Sequence, residues 1–456
     1  MKKRQALALV VTLLLFMTVW PLGVVGAAPS PNAPYLRYAA SSGIMTAQDI
    51  LKPDQPVTRA ELAGYLCRMA SVKLPKTAKS SFKDVLKNNP QLGAIEFAIK
   101  SKWIQPMPNK TFGPAVPAKR AEFAAALMAV AGAGIPAVPL PEAIKDVQAP
   151  AAKPIAAVLD SGMMTPNKPD AFEPDAVLTR VQAARGLAIL RTTAPRFRNA
   201  MLQPKLIPIK GTVNVALNGK KFAKVVKPVV CVKGTVLKTT PKSEARLDFP
   251  DGSSLLLKEN TTLTFKEMNG RAVIAKDGRP LVAVDNLQIG LSEGRMYGAL
   301  ATNTAPATIS GSDSWWKQAS AQKIKVKVDM PWGVAGIRGT IWMNEVQQKL
   351  QITNVVDGGV QVSTKQATVT VMAGKQSVIA GVAAPPSAPA PIPQAQLAGW
   401  KEAKPWMQET VTNMTQSAPV VPVEVTGPQP EQPAPPTVDE LLKTVQSVID
   451  TPSMYN

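Results

Sequence analysis

The feature that most constrains the fold of this chain is a threefold repeat of about 60 residues in its N-terminal part. A proline followed at a fixed short interval by an arginine recurs three times, as Pro53 and Arg59, Pro114 and Arg120, and Pro174 and Arg180. A period of this length is typical of one small helical unit used in series, each copy burying its apolar face against its neighbours. Three copies of a small unit more often form a binding or anchoring surface than a catalytic pocket.

Each copy is predicted to be a helix, a loop that the proline keeps extended, and a second helix. In copy one, Thr58-Arg59-Ala60-Glu61 has the spacing of a capping box, in which Thr58 and Glu61 satisfy each other's free amides. Lys119 replaces the capping threonine in copy two, whereas copy three keeps Thr179 with Gln182.

An apolar stripe at positions i, i+3, i+4 and i+7 follows each of these caps and predicts the buried face of the second helix. The stripes are Leu62, Tyr65, Leu66 and Met69, then Phe123, Ala126, Leu127 and Val130, then Ala183, Gly186, Leu187 and Leu190. The first helices are predicted to end near Gly43, Lys102 and Gly162. Lys102 departs from the glycine that usually supplies the left-handed residue there.

These repeats resemble three tandem surface-layer homology (SLH) domains, at residues 34–76, 80–136 and 142–200, about 165 residues in all. The shared motifs are an F-x-D-V opening (Phe82 to Val85, and Ile144 to Val147), an F-x-P loop, and T-R-A-E at the start of helix two. The opening is missing from copy one. The resemblance implies an all-α three-pronged bundle that docks non-covalently on acidic secondary cell-wall polysaccharide, often carrying pyruvate ketals.

The same resemblance implies that the arginine of T-R-A-E pairs with the acidic sugar, which makes Arg59, Arg120 and Arg180 the candidate polysaccharide-binding residues. A guanidinium can hold a carboxylate with two parallel hydrogen bonds, and free amides at a helix start also favour an anion. The alternative is that each arginine makes only a surface ion pair. Copies two and three match T-R-A-E imperfectly, so their grooves are expected to be weaker. Trp103 is a further candidate, either stacked on a sugar face or serving as a core aromatic.

Composition narrows the function classes. The chain has no histidine, which removes the usual general base and the commonest metal ligand, and we expect no catalytic residues, metal site or cofactor. Its net charge is +21, of which the N-terminal segment contributes 3, and the remaining charge of about +18, which forms no single run, favours a polyanionic partner. The two cysteines, Cys67 and Cys231, are interpreted as buried and unpaired.

Lys2 to Ala27 has the pattern of a secretory signal, so nucleic acid is a poor partner and residues 1–27 are expected to be removed. An uncleaved membrane anchor is the competing interpretation, and no second stretch is long enough to span a bilayer.

After Pro204 the pattern changes to alternation, which predicts an all-β domain over residues 208–383. Lys323 to Val328 alternates strictly, and turns are predicted at Asp251-Gly252, Asp357-Gly358 and Ala373-Gly374. The segment resembles the FecR-like domain. The stretches that match that family's motifs are Ser243 to Ser253, Asn260 to Leu263, Arg338 to Trp342, Asp357 to Val360 and Ala373 to Gln376. Arg338 is expected to close a strand turn. Trp315-Trp316 is either an exposed aromatic patch or a buried edge.

Residues 384–456 are predicted to be a proline-rich linker with short helices, one from Gln394 to Met414 carrying Trp400 and Trp406, and one from Thr437 to Thr451. The predicted fold class is therefore multidomain α + β: an all-α three-pronged bundle of tandem helical repeats, an all-β domain of short strands, and a Pro-rich tail.

The favoured function is a non-catalytic cell-surface protein, extracellular and held to the cell wall or S-layer, that displays the β domain as a scaffold or ligand sensor. An envelope protein is a further candidate partner. The alternatives are a regulator that acts through a membrane partner and, less favoured, a wall-glycan hydrolase that uses carboxylates.

Overall fold

A computed structural model describes residues 30–75, 79–301, 314–321, 324–338 and 341–420, together with residue 447. The N-terminal part is helical. Its helices are α1 Ala33–Ser41, α2 Ala47–Ile50, α3 Arg59–Met69, α4 Leu92–Lys100, α5 Arg120–Ala131, α6 Ala152–Asp160, α7 Arg180–Thr193 and α8 Pro195–Arg198. The predicted signal peptide and the predicted helix over Thr437 to Thr451 lie outside the described residues, apart from Ser447.

The helical part has the predicted threefold plan. Its first helices are α1, α4 and α6, and its second helices are α3, α5 and α7, each of which begins at the arginine of the repeat. Thr58 caps α3 in a complete capping box, and Lys119 at the start of α5 makes no side-chain cap. All three predicted stripes are buried, and their side chains pack into one apolar core. The second position of the α7 stripe is a glycine, which is buried but adds no side chain to that core.

The left-handed residue that ends each first helix occurs in all three repeats. Gly43, Lys102 and Gly162 have φ of +71°, +58° and +67°. Lys102 therefore adopts the same backbone conformation as the two glycines, although a side chain disfavours it.

The second part is built of β-strands, as predicted. They are β1 Asn199–Met201, β2 Lys205–Lys210, β3 Val213–Ala216, β4 Ala223–Lys224, β5 Val229–Val230, β6 Val236–Thr239, β7 Glu244–Asp248, β8 Ser254–Leu257, β9 Thr262–Ile274, β10 Pro280–Ala299, β11 Lys325–Asp329, β12 Val334–Ile337, β13 Ile341–Val346, β14 Gln351–Asp357, β15 Gly359–Ser363, β16 Thr368–Met372, β17 Lys375–Ile379 and β18 Ala390–Pro391. The helix α9, Trp315–Ala321, lies between β10 and β11, and α10, Gln394–Gln416, follows β18.

The long strand β10 joins two curved sheets around one apolar core. Its first part pairs with β9 and, in parallel, with β11, and from Gly294 onward it pairs with β8 and β13. The other pairings are antiparallel. The predicted turns are present, with Gly252, Gly358 and Gly374 at φ between +77° and +83°. β11 shows the predicted alternation of exposed and buried side chains.

The segment after residue 383 differs from the predicted linker. Ala390 pairs with Gln376, and Ser387 receives and donates hydrogen bonds along β17. The helix α10 was predicted at the correct place, but not its packing: Trp400 and Trp406 are buried against the outer face of the sheet that contains β8 and β13. The apolar face of one helix, rather than the prolines around it, therefore determines where this segment lies.

Contacts also connect the helical part with the β-strands. β1 continues directly from α8 and pairs with the end of β9. Trp315 and Trp316 are buried against the helical core, which is the second of the two predicted alternatives.

Cys67 and Cys231 are buried and unpaired, and burial raises the pKa of each thiol to about 12. No helix within the described ranges is long and apolar enough to cross a membrane.

Candidate functional site: the junctions between the repeats

Three backbone hydrogen bonds close the repeats into a ring. Val57 donates to Leu178 (2.9 Å), Leu178 donates to Ala118 (2.8 Å), and Ala118 donates to Val57 (2.8 Å). Each of these residues precedes the second helix of its repeat, and all three are fully buried. The starts of α3, α5 and α7 therefore meet at one centre, and each arginine reaches from there into a neighbouring repeat.

Arg59 forms the junction between copies one and two. Its Nε donates to the carbonyl of Phe112 (2.7 Å), and its Nη2 donates to the carbonyl of Gln105 (2.7 Å). Its Nη1 pairs with the carboxylate of Glu122, and the guanidinium carbon lies 4.8 Å from the centroid of the Phe112 ring. One side chain thus holds the F-x-P loop and the second helix of the next copy.

Arg120 repeats this arrangement between copies two and three. Its Nε donates to the carbonyl of Phe172 (2.9 Å), its Nη2 donates to that of Thr165 (2.8 Å), and its guanidinium carbon lies 4.4 Å from the Phe172 ring centroid. Gln182 takes the place of Glu122 and donates instead to Asn167. Within the described part of the chain this junction therefore lacks an ion pair with the arginine. Burial lowers the pKa of Arg120 to about 10, so the group stays charged at neutral pH.

Arg180 closes the ring by contacting copy one, with different partners. Its Nη1 donates to Gln55 Oε1 (2.8 Å), and its Nη2 donates to Glu61 Oε1 (2.9 Å) and lies 3.5 Å from Asp49 Oδ1. Copy one has Leu51 where the other copies have phenylalanine, and Leu51 is 70% exposed. Glu61 corresponds to the Glu122 that Arg59 binds, whereas Gln55 and Asp49 take the place of the aromatic ring and the carbonyl groups at this junction.

The three arginines are therefore brought to equivalent places, as the repeat predicted, but they are only 7%, 1% and 8% exposed. The expectation of free amides at these helix starts is wrong. Arg59 N donates to Val116 O (2.9 Å), Arg120 N donates to Ala176 O (3.0 Å), and Arg180 N donates to Gln55 O (3.0 Å). The loop of the adjacent repeat already occupies the position where an anion would bind.

Asp84 and Asp146, from the opening motif of copies two and three, are site residues that the sequence reasoning did not single out. Asp84 accepts hydrogen bonds from the amides of Phe112 (2.9 Å) and Gly113 (2.7 Å), and Asp146 does the same for Phe172 and Glu173. Desolvation acts to raise the pKa of Asp84, but these two bonds, together with Arg59, lower it below its ordinary value. The recurrence of the aspartate in both openings was the available signal.

Trp103 and Arg338, two other residues that the sequence analysis singled out, contact neighbouring parts of the fold. Trp103 is buried, and its ring packs edge to face against Phe97 with the centroids 5.2 Å apart, as in the core-aromatic alternative. Arg338 is exposed; its backbone amide donates to Gly359 O at the start of β15 and its Nη2 donates to Gln361 Oε1 (3.2 Å), and its role in closing a strand turn stays a prediction.

A cavity of about 250 Å³ lies between the helical part and the hairpin of β9 and β10. Polar groups of Tyr38, Ser42, Arg68 and Arg191 line one side, and residues 280–282 line the other. Arg68 donates to Ile44 O and Arg191 to Phe197 O, and neither forms an ion pair with a carboxylate of the described residues. Two arginines that lack a carboxylate partner among the described residues thus belong to the lining of the cavity. No group of three or more potential metal ligands occurs in the part of the chain that the structure describes.

Comparison with known proteins gives a family match for part of the helical region. The family profile of the S-layer homology domain matches residues 26–63 and 81–124, in copies one and two. No curated protein matches the chain. S-layer homology domains indicate association with the cell wall, and thus a place at the cell surface.

Two crystal structures of a protein named as an anti-sigma factor from Parabacteroides distasonis ATCC 8503 align at low similarity. One is 13% identical over 38% of this chain and 64% of its own, with a TM-score of 0.27. The other is 11% identical over 39% of this chain and 73% of its own, with a TM-score of 0.26. TM-scores this low establish no common fold.

Proposed function

We propose that the protein is a non-catalytic cell-surface protein whose three helical repeats hold it to acidic secondary cell-wall polysaccharide, and whose FecR-like β domain is the displayed module. The observation that carries this is the match of copies one and two to the S-layer homology domain. The third copy places its arginine at the same helix start and its loop under Arg120, although Arg180 binds other groups. A wall polymer bearing pyruvate ketals suits the junctions, because a ketal carboxylate is a small planar acceptor for a guanidinium.

The acidic sugar is proposed to bind at the outer edge of the junctions formed by Arg59, Arg120 and Arg180. At the first junction the carboxylate of Glu122 is partly exposed and already holds Arg59 Nη1. A sugar carboxylate approaching there would replace the carboxylate of Glu122 on the same guanidinium. Trp103, in the core beside this junction, would support its shape rather than stack on the sugar.

The test is binding of the full-length mature chain to purified wall sacculi, before and after chemical removal of the ketal-bearing polymer. We expect binding to native sacculi and loss on stripped sacculi. Because a chain of net charge +21 binds many polyanions, a control variant is needed with four charges removed away from the junctions. Lys325, Lys327, Lys349 and Lys375 are exposed residues of the β domain, and their replacement by glutamine should leave sacculus binding unchanged. Equal binding to native and stripped sacculi would refute the proposal.

Variants at the first junction test the role of the arginine. Arg59→Lys keeps the charge but loses the fork, and should weaken binding about tenfold, the effect of one charge-assisted hydrogen bond. Glu122→Gln leaves Arg59 in place and removes its competing carboxylate, so it should bind as tightly as the wild type or more tightly. Weaker binding by Glu122→Gln, in a protein with an unchanged circular dichroism spectrum, would argue against the exchange.

A second candidate function, a ligand sensor, is favoured by the cavity between the helical part and the β9–β10 hairpin. A small carboxylate bound there would contact Arg68 and Arg191 from the helices and residues 280–282 from the hairpin. In a thermal-shift screen, a small carboxylate that binds in the cavity should raise the melting temperature of the wild type. It should not raise that of the double variant Arg68→Gln/Arg191→Gln. If no acid shifted the melting temperature, the sensor function would be refuted and only the anchoring function would remain.

A further inference from the structure

The positive charge of the chain is concentrated in one segment. Residues 176–243 contain 14 lysines and arginines and no aspartate or glutamate, although the whole chain has 31 acidic residues. This segment runs from the last repeat into the first strands of the β domain. Its acid-free composition was not anticipated from the overall charge.

Four of these 14 positive charges lie on the exposed connection between β3 and β5. Residues 218–224 and 226–228 are exposed without interruption, and only Val225 points inward, with its amide donating to Val213 O (2.8 Å). The loop carries the exposed lysines Lys220, Lys221, Lys224 and Lys227. None of the four forms an ion pair with a carboxylate of the described residues.

Large apolar side chains are exposed on the same loop. Phe222 is 48% exposed and Val226 is 80% exposed. Lys238, on β6, contributes to the same surface, because Asn214 of β3 pairs in register with Lys224 on one side and Lys238 on the other. The ammonium of Lys238 lies 5.2 Å from the centroid of the Phe222 ring. We call this surface, made of the four loop lysines, Phe222, Val226 and Lys238, the lysine–phenylalanine patch.

We propose that the lysine–phenylalanine patch docks the β domain on the surface of an anionic lipid bilayer. The lysines complement the negative surface potential of such a membrane, and the contribution of each adds to that of its neighbours. The phenylalanine and valine side chains enter the boundary between headgroups and acyl chains, where an exposed aromatic ring is more stable than in water. A dissolved polyanion would use the lysines equally but would gain nothing from the two apolar side chains.

This contact is independent of the wall-binding proposal, because it uses a different part of the molecule and a different ligand. Together the two would hold the chain at two places in the envelope, with the repeats on the wall polymer and the β domain on a lipid surface.

The experiment is co-sedimentation of the full-length mature chain with vesicles of phosphatidylcholine alone and with vesicles containing 30% phosphatidylglycerol. The chain should partition into the anionic vesicles only. Replacing Lys220, Lys221, Lys224 and Lys227 by glutamine should lower the partition coefficient at least about tenfold. The matched control is the glutamine variant of Lys325, Lys327, Lys349 and Lys375, which removes the same charge from other exposed sites and should bind like the wild type.

The apolar contribution is tested separately with Phe222→Ser, which should lower partitioning several-fold while the binding of soluble polyphosphate is unchanged. Phe222 and the four lysines are exposed, so the variants should keep the wild-type circular dichroism spectrum. An equal loss in the control variant would show that only net charge matters and would overturn the proposal. Full binding by Phe222→Ser, with polyphosphate competing against vesicles, would overturn it in favour of a soluble polyanion.

Discussion

At the scale of single residues, equivalent positions of the three repeats show which side chains the geometry requires. An aromatic ring before the loop proline is needed only where an arginine stacks on it, as at Phe112 and Phe172. Copy one has Leu51 there, and Arg180 pairs with Asp49 in addition to Glu61. The left-handed residue after the first helix is required in every copy, yet copy two supplies it with Lys102 at φ +58°.

Lys102→Gly is therefore expected to stabilise the protein. A left-handed conformation costs a residue with a side chain roughly 1–2 kcal/mol, and glycine adopts it freely but gains entropy in the unfolded chain, so the net gain is about 1 kcal/mol. The measurement is the midpoint of denaturant unfolding followed by circular dichroism. The matched control is Gly43→Ala, whose added carbon meets no atom within 4 Å, so only backbone strain changes and stability should fall. A lower midpoint for Lys102→Gly would show that its side chain contributes more than its backbone costs.

At the scale of elements, the F-x-D-V opening of one repeat acts as a clamp for the loop of that repeat. The carboxylate of Asp84 receives two amides of the F-x-P loop, and Arg59 of the preceding repeat binds the carbonyl of the same loop. The opening, the loop and the neighbouring helix start are thus held as one unit.

Asp84→Asn should consequently weaken the fold in a pH-dependent way. The pKa of Asp84 is lowered in the folded protein from an ordinary value of 3.8, so its contribution is complete above that pH and is lost as pH falls through the folded value. We expect a loss of about 1 kcal/mol at pH 7, allowing for the partial exposure of the group. The difference from the wild type should narrow below about pH 4.

Unfolding midpoints at pH 7, 5 and 3 measure this effect. Asp54→Asn, which alters an exposed carboxylate on the loop of copy one, is the control and should match the wild type throughout. A constant difference between Asp84→Asn and the wild type at all three values would contradict the pKa argument.

The elements also show how much the sequence could predict. Periodicity and caps were sufficient for α3, α5 and α7, and alternation with glycine turns was sufficient for the strand-rich part, because those signals are local. The burial of Arg59, Arg120 and Arg180 was not predictable, since it depends on which loop of another repeat meets each helix start. The packing of α10 was missed for a related reason: its apolar face is visible in the sequence, but the face of the sheet that it covers is not. The FecR-like resemblance remains a prediction.

At the scale of the whole molecule, the helical part and the β-strands are connected through the helix α9. Trp316 Nε1 donates to Asp160 Oδ2 (2.7 Å), and the ammonium of Lys317 lies 2.8 Å from Asp160 Oδ1. Asp160 ends α6 of the third repeat, so a single carboxylate links the last repeat to the segment between β10 and β11.

Removal of that carboxylate should loosen α9 without unfolding either part. In Asp160→Ala the buried indole N–H of Trp316 loses this acceptor and Lys317 loses its ion-pair partner, at a cost of about 1–3 kcal/mol. Local opening should accelerate amide hydrogen exchange in peptides covering residues 314–321, while β13 and β14 keep wild-type rates. Asp170→Ala, at an exposed carboxylate of the same repeat, is the control and should exchange like the wild type. If α9 exchanged at the wild-type rate in Asp160→Ala, the apolar packing of Trp315 and Trp316 would be sufficient to hold α9 on the last repeat.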